Sequence, residues 1–256
     1  MKRNRRFLAG RFAGISLVPL GVGFVVLPQP GLAACVSNGT TITCSGTSDG
    51  FDPDPVNNPG QWALIGPKTI NNNGTLDSTP ISISLLGNGF VVNNAAGAAI
   101  SQTSVGSQPA LLISRSTGSG AGVTVNNQGS ISSAGTWAIL TGSTSGSTSA
   151  NNIVINNSGT ISQASGTGSS AAAIYFTSVT FNATVNNSAG ATISSSTNYG
   201  IYNLARNSAV GKNSITNGGT ISGLASGVYT PGDLDTLDNS GSIRAGNGVA
   251  TTYSAA

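Results

Sequence analysis

The chain has 256 residues, of which only 7% are charged, with 36 glycines and neither His nor Glu. Low charge beside 38% apolar residues excludes a disordered polyelectrolyte, which needs high net charge and little hydrophobicity, and the lack of imidazole excludes histidine triads and histidine zinc sites. Half of the ten basic groups (Lys2, Arg3, Arg5, Arg6 and Arg11) crowd the first residues, while Lys68, Arg115, Arg206, Lys212 and Arg244 are scattered, so the clustered footprint of a nucleic-acid binder is absent.

Residues 1–34 read as a secretory signal peptide. A basic MKRNRRFLAGR precedes an apolar FAGISLVPLGVGFVVLP, and Gly31 and Ala33 place small residues where a signal peptidase reads. Pro19 and Pro28 count against a retained span, and no later stretch reaches the roughly eighteen apolar residues of a membrane helix. NRRFL approaches a twin-arginine leader but lacks the spacer residue after the arginine pair.

Residues 35–66 read as an N-terminal hairpin or cap. Cys35 and Cys44, the only cysteines, bracket CVSNGTTITC, where Asn38-Gly39 is a strong turn signal between two β-prone runs. An exported location is oxidising, so a disulfide-closed hairpin is the favoured pairing. LAAC at Leu32–Cys35 also has the letters of a lipid-attachment box. Against that reading, Pro28 and Pro30 separate the apolar run from Leu32, and lipidation would orphan Cys44. Two thiols without His are too few for a metal site. The following DGFDPDP, with Asp49, Asp52 and Asp54, reads as a turn-rich approach to the repeats, with a weak calcium site as its functional alternative.

Residues 67–256 carry a repeat. INNNGTLDS begins at Ile70, VNNAAGAAIS at Val92, VNNQGSIS at Val125 and INNSGTIS at Ile155. VNNSAGATIS begins at Val185, ITNGGTIS at Ile215 and LDNSGSIRA at Leu237, giving steps of 22, 33, 30, 30, 30 and 22 residues. Periods of this length mean a solenoid, propeller or array. A second β-rich run follows the later copies: TWAIL, AAIYF, YGIYN, SGVYT and NGVAT. No segment shows a sustained helical period. Each unit is too small to bury its own apolar face, so stacked units must share a core. The fold class is therefore all-β: a right-handed parallel β-helix of about seven coils, the hand following from the preference of parallel crossovers. At about 4.8 Å per strand, the rod is roughly 34 Å long.

The motif itself has a physical reading. Val125 and Ile131, Ile155 and Ile161, Val185 and Ile193, Ile215 and Ile221, and Leu237 and Ile243 form an inward stack. Asn72, Asn94, Asn127, Asn157, Asn187, Asn217 and Asn239 sit at the bend, where amides can hydrogen-bond along the column as in other cross-β ladders. Gly74, Gly129, Gly159, Gly219 and Gly241 follow, and are expected to supply positive φ at the corner. Thr75, Ser130, Thr160, Thr192, Thr220 and Ser242 should form an outward hydroxyl row, interrupted by Ala99.

Leader, paired-cysteine start and tandem NNSGTIS…GIY units together resemble the passenger region of bacterial autotransporters, adhesin-like type V secreted proteins, over roughly residues 35–256. The resemblance implies a Gram-negative source, export, folding outside the cell as a right-handed β-helix, and a role in attachment or aggregation. It also implies an outer-membrane β-barrel translocator as partner, in cis if the chain is truncated and in trans otherwise. The chain departs from the family in ending at GVATTYSAA, inside a coil, without the ten-residue amphipathic strands of a barrel. The unpaired edge of that open last coil is expected to promote self-association.

Catalysis is not expected, and no cofactor. Glycoside chemistry wants paired carboxylates in one cleft. Beyond DGFDPDP the only candidate is GDLDTLD, with Asp233, Asp235 and Asp238, read as a solvated loop between coils with Asp238 in an Asn position of the motif. GTGSS and GSGAG lack the Lys of a phosphate loop. The hydroxyl row raises ordered-water or ice binding. Trp62, Trp137, Tyr175, Tyr202 and Tyr229 raise sugar stacking, although several alternate with inward apolar positions, as strand packing requires. The leading reading is an exported, non-enzymatic surface passenger with an adhesive or structural role, its ligand a glycan or a protein. The alternatives are a β-helix lyase or hydrolase acting on acidic polysaccharide, and a lipidated periplasmic or surface scaffold.

Overall fold

Short runs of alternating apolar and small polar residues, broken by Asn, Gly and Ser, favour strands over helices. The computed structural model describes residues 34–48, 63–78, 83–106, 108–114, 122–142, 150–205, 211–246 and 251–253. Every regular element among them is a strand. The signal-peptide reading, Asp49, Asp52 and Asp54, Trp62 and Arg115 fall outside the described residues.

The strands build three long sheets in which sequence neighbours are one coil apart. One coil runs through Ile153–Asn157, Thr160–Gln163 and Ala172–Phe176. The next runs through Thr184–Asn187, Thr192–Ser195 and Tyr199–Asn203. Each strand pairs in parallel with its counterpart. The molecule is a β-solenoid, and its three faces are called here the amide, hydroxyl and aromatic sheets after their ladders.

The register explains the core. In the amide sheet Ile70, Val92, Val125, Ile155, Val185, Ile215 and Leu237 lie in one column. In the hydroxyl sheet Leu76, Ile100, Ile131, Ile161, Ile193, Ile221 and Ile243 lie in another. In the aromatic sheet Ile83, Leu111, Ile139, Ile174, Ile201 and Val228 make the third. Nearly all are buried in one continuous cluster, with Leu237 and Ile243 packed half-buried against it. Burial of one such side chain contributes about 1.5–3 kcal/mol, and only a neighbouring rung can provide it.

The repeat starts one rung earlier than Ile70. Thr41–Ser45 pairs in parallel with Thr69–Asn72, placing Ile42 below Ile70 and Cys44 below Asn72. Thr47 and Ser48 lie below Thr75 and Leu76. ITCSGTS is thus a further copy of INNSGTIS, with Cys in the Asn position. Ala34–Asn38 folds back antiparallel on this rung and covers its edge, with Asn38 opposite Thr41. The turn is therefore Gly39-Thr40, and Gly39 takes φ of 59°, as a two-residue hairpin with glycine first requires.

Cys35 and Cys44 are disulfide-bonded. A sulfur joined to Cys44 has no valence left for a lipid thioether, so the lipid-attachment reading of Cys35 does not describe this state. Reduction, or paired Cys35→Ser and Cys44→Ser, should lower stability by about 2–3 kcal/mol, the chain-entropy value for so short a loop. Urea unfolding with and without reductant measures it. No change in midpoint would mean that the hairpin stays closed without its bond.

Glycine at the corner serves a different purpose from the expected one. Gly74, Gly129, Gly159, Gly219 and Gly241 are not among the residues with positive φ. A Cβ at Gly159 would instead lie 2.1 Å from the Gly129 carbonyl oxygen of the coil below, and one at Gly129 would lie 2.1 Å from that of Ala98. Glycine is needed because backbone meets backbone between coils. Positive φ appears at this corner in the first rung, at Gly46 (76°), and in the two lengthened copies, at Gly97 (78°) and Gly190 (82°). There Ala98 N–H bonds Ala95 O at 3.0 Å, and Ala191 N–H bonds Ser188 O at 3.0 Å. These are four-residue turns with glycine third, the type II arrangement.

Candidate functional site

The site is built on the NN pair that closes each strand of the amide sheet. Side chains alternate across a strand, so the two asparagines point to opposite faces. The second is buried: Asn72, Asn94, Asn127, Asn157, Asn187 and Asn217 are all 2% exposed or less. Each donates one Nδ2–H to Oδ1 of the next coil's asparagine at 2.7–2.8 Å, as Asn72 does to Asn94 and Asn217 to Asn239. Each also donates to a backbone carbonyl of the next coil, as Asn127 does to Thr160 O at 3.0 Å. These carbonyls fix which end of the amide carries nitrogen. A second buried column, Gln102, Ser133, Gln163 and Ser195, closes the hydroxyl-sheet strands, with Ser133 Oγ donating to Gln102 Oε1 at 2.9 Å.

The first asparagine of each pair faces out. Asn71, Asn93, Asn126, Asn156 and Asn186 lie in register, with Thr216 and Asp238 continuing the row. Their carboxamides also bond from coil to coil. Asn93 donates to Asn71, Asn126 to Asn93, Asn156 to Asn126 and Asn186 to Asn156, each at 2.9 Å. Sequence reading found only the inner column. The signal for the outer one was the period-two alternation of the same letters.

A groove of about 530 Å³ runs over this outer row. Thr43, Asn71, Asn93, Asn126 and Asn156 contribute to its lining, and Asn73, Ala95, Gln128, Ser158 and Ser188 line it at the bend. No lining residue is charged. The groove can accept and donate hydrogen bonds at each coil it spans, and its described lining residues include no acid or base.

The other candidates are placed as follows. Thr75, Ala99, Ser130, Thr160, Thr192, Thr220 and Ser242 form one row on the hydroxyl sheet. Leu112, Leu140, Tyr175, Tyr202 and Tyr229 form the outer row of the aromatic sheet. Rings stack within this row and with Tyr199 beside it: Tyr175 and Tyr202 are 4.9 Å apart and inclined 19°, while Tyr199 and Tyr229 are 4.7 Å apart and inclined 15°. Ring faces used against rings are not free to stack on sugars, and Trp137 is tied by Nε1–H to Ser170 O at 2.8 Å. Asp235 and Asp238 lie on an exposed strand, Leu234–Asn239, rather than in a loop. On that strand Leu237 lies in register with Ile215 and packs half-buried against the core. Among the described residues no group of three or more His, Cys, Asp or Glu side chains could hold a metal ion.

Burial raises the phenol of Tyr175 above its ordinary value, and burial, then the neighbouring Tyr229, does the same for Tyr199. A phenol raised on folding contributes stability that is fully present below about pH 10, the unfolded value, and is lost as pH rises through the folded one. Phenolate absorbance should therefore show Tyr175 and Tyr199 ionising above the free-tyrosine position. A single titration at the free-tyrosine position would contradict the stack.

No protein-family model, characterised protein or solved structure matches this chain.

Proposed function

We propose that this chain is an exported surface protein of the passenger type: a right-handed β-helix with an adhesive or structural role and no catalysis, delivered through an outer-membrane β-barrel translocator in cis or in trans. The observation that carries this reading is a β-solenoid closed at its first rung by a disulfide. Such bonds persist in oxidising compartments, which agrees with the basic and apolar leader at residues 1–34. The outward asparagine ladder supports the adhesive role, since it offers the same carboxamide on five consecutive coils. The half-buried Leu237 and Ile243 support association with a further coil or a second copy.

The test is expression in a Gram-negative host with the leader and a translocator supplied. The reading expects a processed chain two hydrogens lighter than its thiol form, and digestion by protease added to whole cells. An unprocessed, reduced, protease-protected chain would overturn it. The mass of an added lipid would instead favour the scaffold alternative. Product formation on an acidic polysaccharide would favour the enzyme.

A further inference from the structure

We infer that the groove over the outer asparagine row binds a neutral, hydroxyl-rich polymer, a polysaccharide lying along the solenoid axis. This deepens the adhesive reading above and rests on it for its biological sense, though not for its chemistry.

The inference begins with the hydrogen-bond inventory of a carboxamide: two N–H donors and an oxygen with two lone pairs. Within the row Asn126 spends one N–H on Asn93 and one lone pair on Asn156. Asn156 spends one N–H on Asn126 and one lone pair on Asn186. Each amide thus has a donor and an acceptor beyond the ladder, side by side. A pair of neighbouring sugar hydroxyls, each both donor and acceptor, matches that arrangement.

The ladder also fixes the amides before any ligand arrives. Ordering a rotamer-rich side chain at an interface costs about 0.5–1.5 kcal/mol, and here neighbouring rungs have already imposed the order. The offering then repeats with the strand spacing, about 4.8 Å, over consecutive rungs. A polymer with its own repeat can use several rungs at once, and linked contacts raise affinity without any new kind of contact.

Charge decides between polymers. Every lining residue is uncharged, so an acidic chain finds no cation to neutralise it. A peptide is disfavoured for another reason. The groove lies on a sheet face, where the backbone hydrogen bonds are already used between coils, so strand addition, which needs a sheet edge, is not available there.

The experiment titrates the full chain with neutral β-glucan, mannan and xylan oligomers of increasing length, beside polygalacturonate oligomers and an extended peptide. Calorimetry and the side-chain amide resonances of asparagine are recorded. The expected result is affinity for at least one neutral series that rises with length, with shifts confined to the outer amides. Paired Asn126→Ala and Asn156→Ala should weaken binding at least tenfold, while Thr160→Ala on the hydroxyl sheet leaves it unchanged. If the paired variant fails to fold, the shifts in the unaltered chain decide. Absence of binding to every neutral series, preference for polygalacturonate or peptide, or shifts elsewhere would each overturn the inference. Surface display in whole cells is read separately, so its failure would count against the passenger reading and leave the groove chemistry standing.

Discussion

Asn157→Leu is expected to lower the unfolding free energy by about 3–5 kcal/mol, as the summed penalty of orphaned buried groups at about 1–3 kcal/mol each. Asn157 is 1% exposed. It donates to Asn187 Oδ1 at 2.8 Å and to Thr192 O at 3.1 Å, and accepts from Asn127 at 2.8 Å. Leucine is of similar size but leaves those partners facing hydrocarbon. Urea unfolding at constant slope reports the change. A loss below about 1 kcal/mol would mean that the column is replaceable packing.

Two companions separate the amide's chemistry from its volume. Asn127→Leu combined with Asn157→Leu should cost less than the sum of the single changes, because the two share a bond and then pack against each other. Asn157→Asp should behave differently again. Burial raises a carboxyl above its unfolded value of about 3.9. Stability is then greatest at low pH and falls as pH rises through that value towards the folded one. A pH-independent deficit would contradict burial of the new carboxyl.

Gly159→Ala is the second large expectation, at about 3 kcal/mol or more, the range of severe steric change. The position does not have positive φ. On conformational grounds alone alanine should stabilise it by about 0.4–1 kcal/mol through the unfolded chain. The approach of the lower coil reverses that sign. The added Cβ would sit 2.1 Å from Gly129 O, the atom that accepts Thr160 N–H at 2.9 Å. A backbone oxygen cannot swing aside as a side chain can, so the coils must part and that bond must lengthen. Gly106→Ala is the control, with nothing within 4 Å of its Cβ, and it should fall within about 0.5 kcal/mol of the parent. Thermal or urea midpoints of the pair decide whether distance or dihedral governs the corner.

These positions mark what could be read from letters. Ile155 above Val125 and Asn157 above Asn127 were legible, because identical letters at a fixed step imply register. The rung at Ile42 was not, since Cys44 stands where every other copy has Asn. The turn signal of Asn38-Gly39 also assigns the same letters to a hairpin. The outer row was hidden by its likeness to the inner one, as the two letters of NN are the same and only strand alternation sets Asn156 apart from Asn157. The role of Gly159 lay beyond reach because a distance between coils has no counterpart in a linear sequence. For Trp137 and the tyrosines the letters show alternation with inward apolar positions, and the parallel pairing adds that Tyr175 stands against Tyr202.

The three turns of a coil differ in how strictly their length is held. Between the amide and hydroxyl sheets the chain passes from Asn157 to Thr160, from Asn217 to Thr220 and from Asn239 to Ser242, and it lengthens only in the two copies with a glycine turn. Between the aromatic and amide sheets the passage ranges from Thr230–Leu234 to Asn203–Asn213 and Thr141–Ile153. The length of that passage thus varies from coil to coil while the buried amides keep their register. The rod acts as a ruler: whatever evolution or an engineer grafts at those passages is held at set intervals along one edge, with spacing dictated by strand pairing and not by the graft.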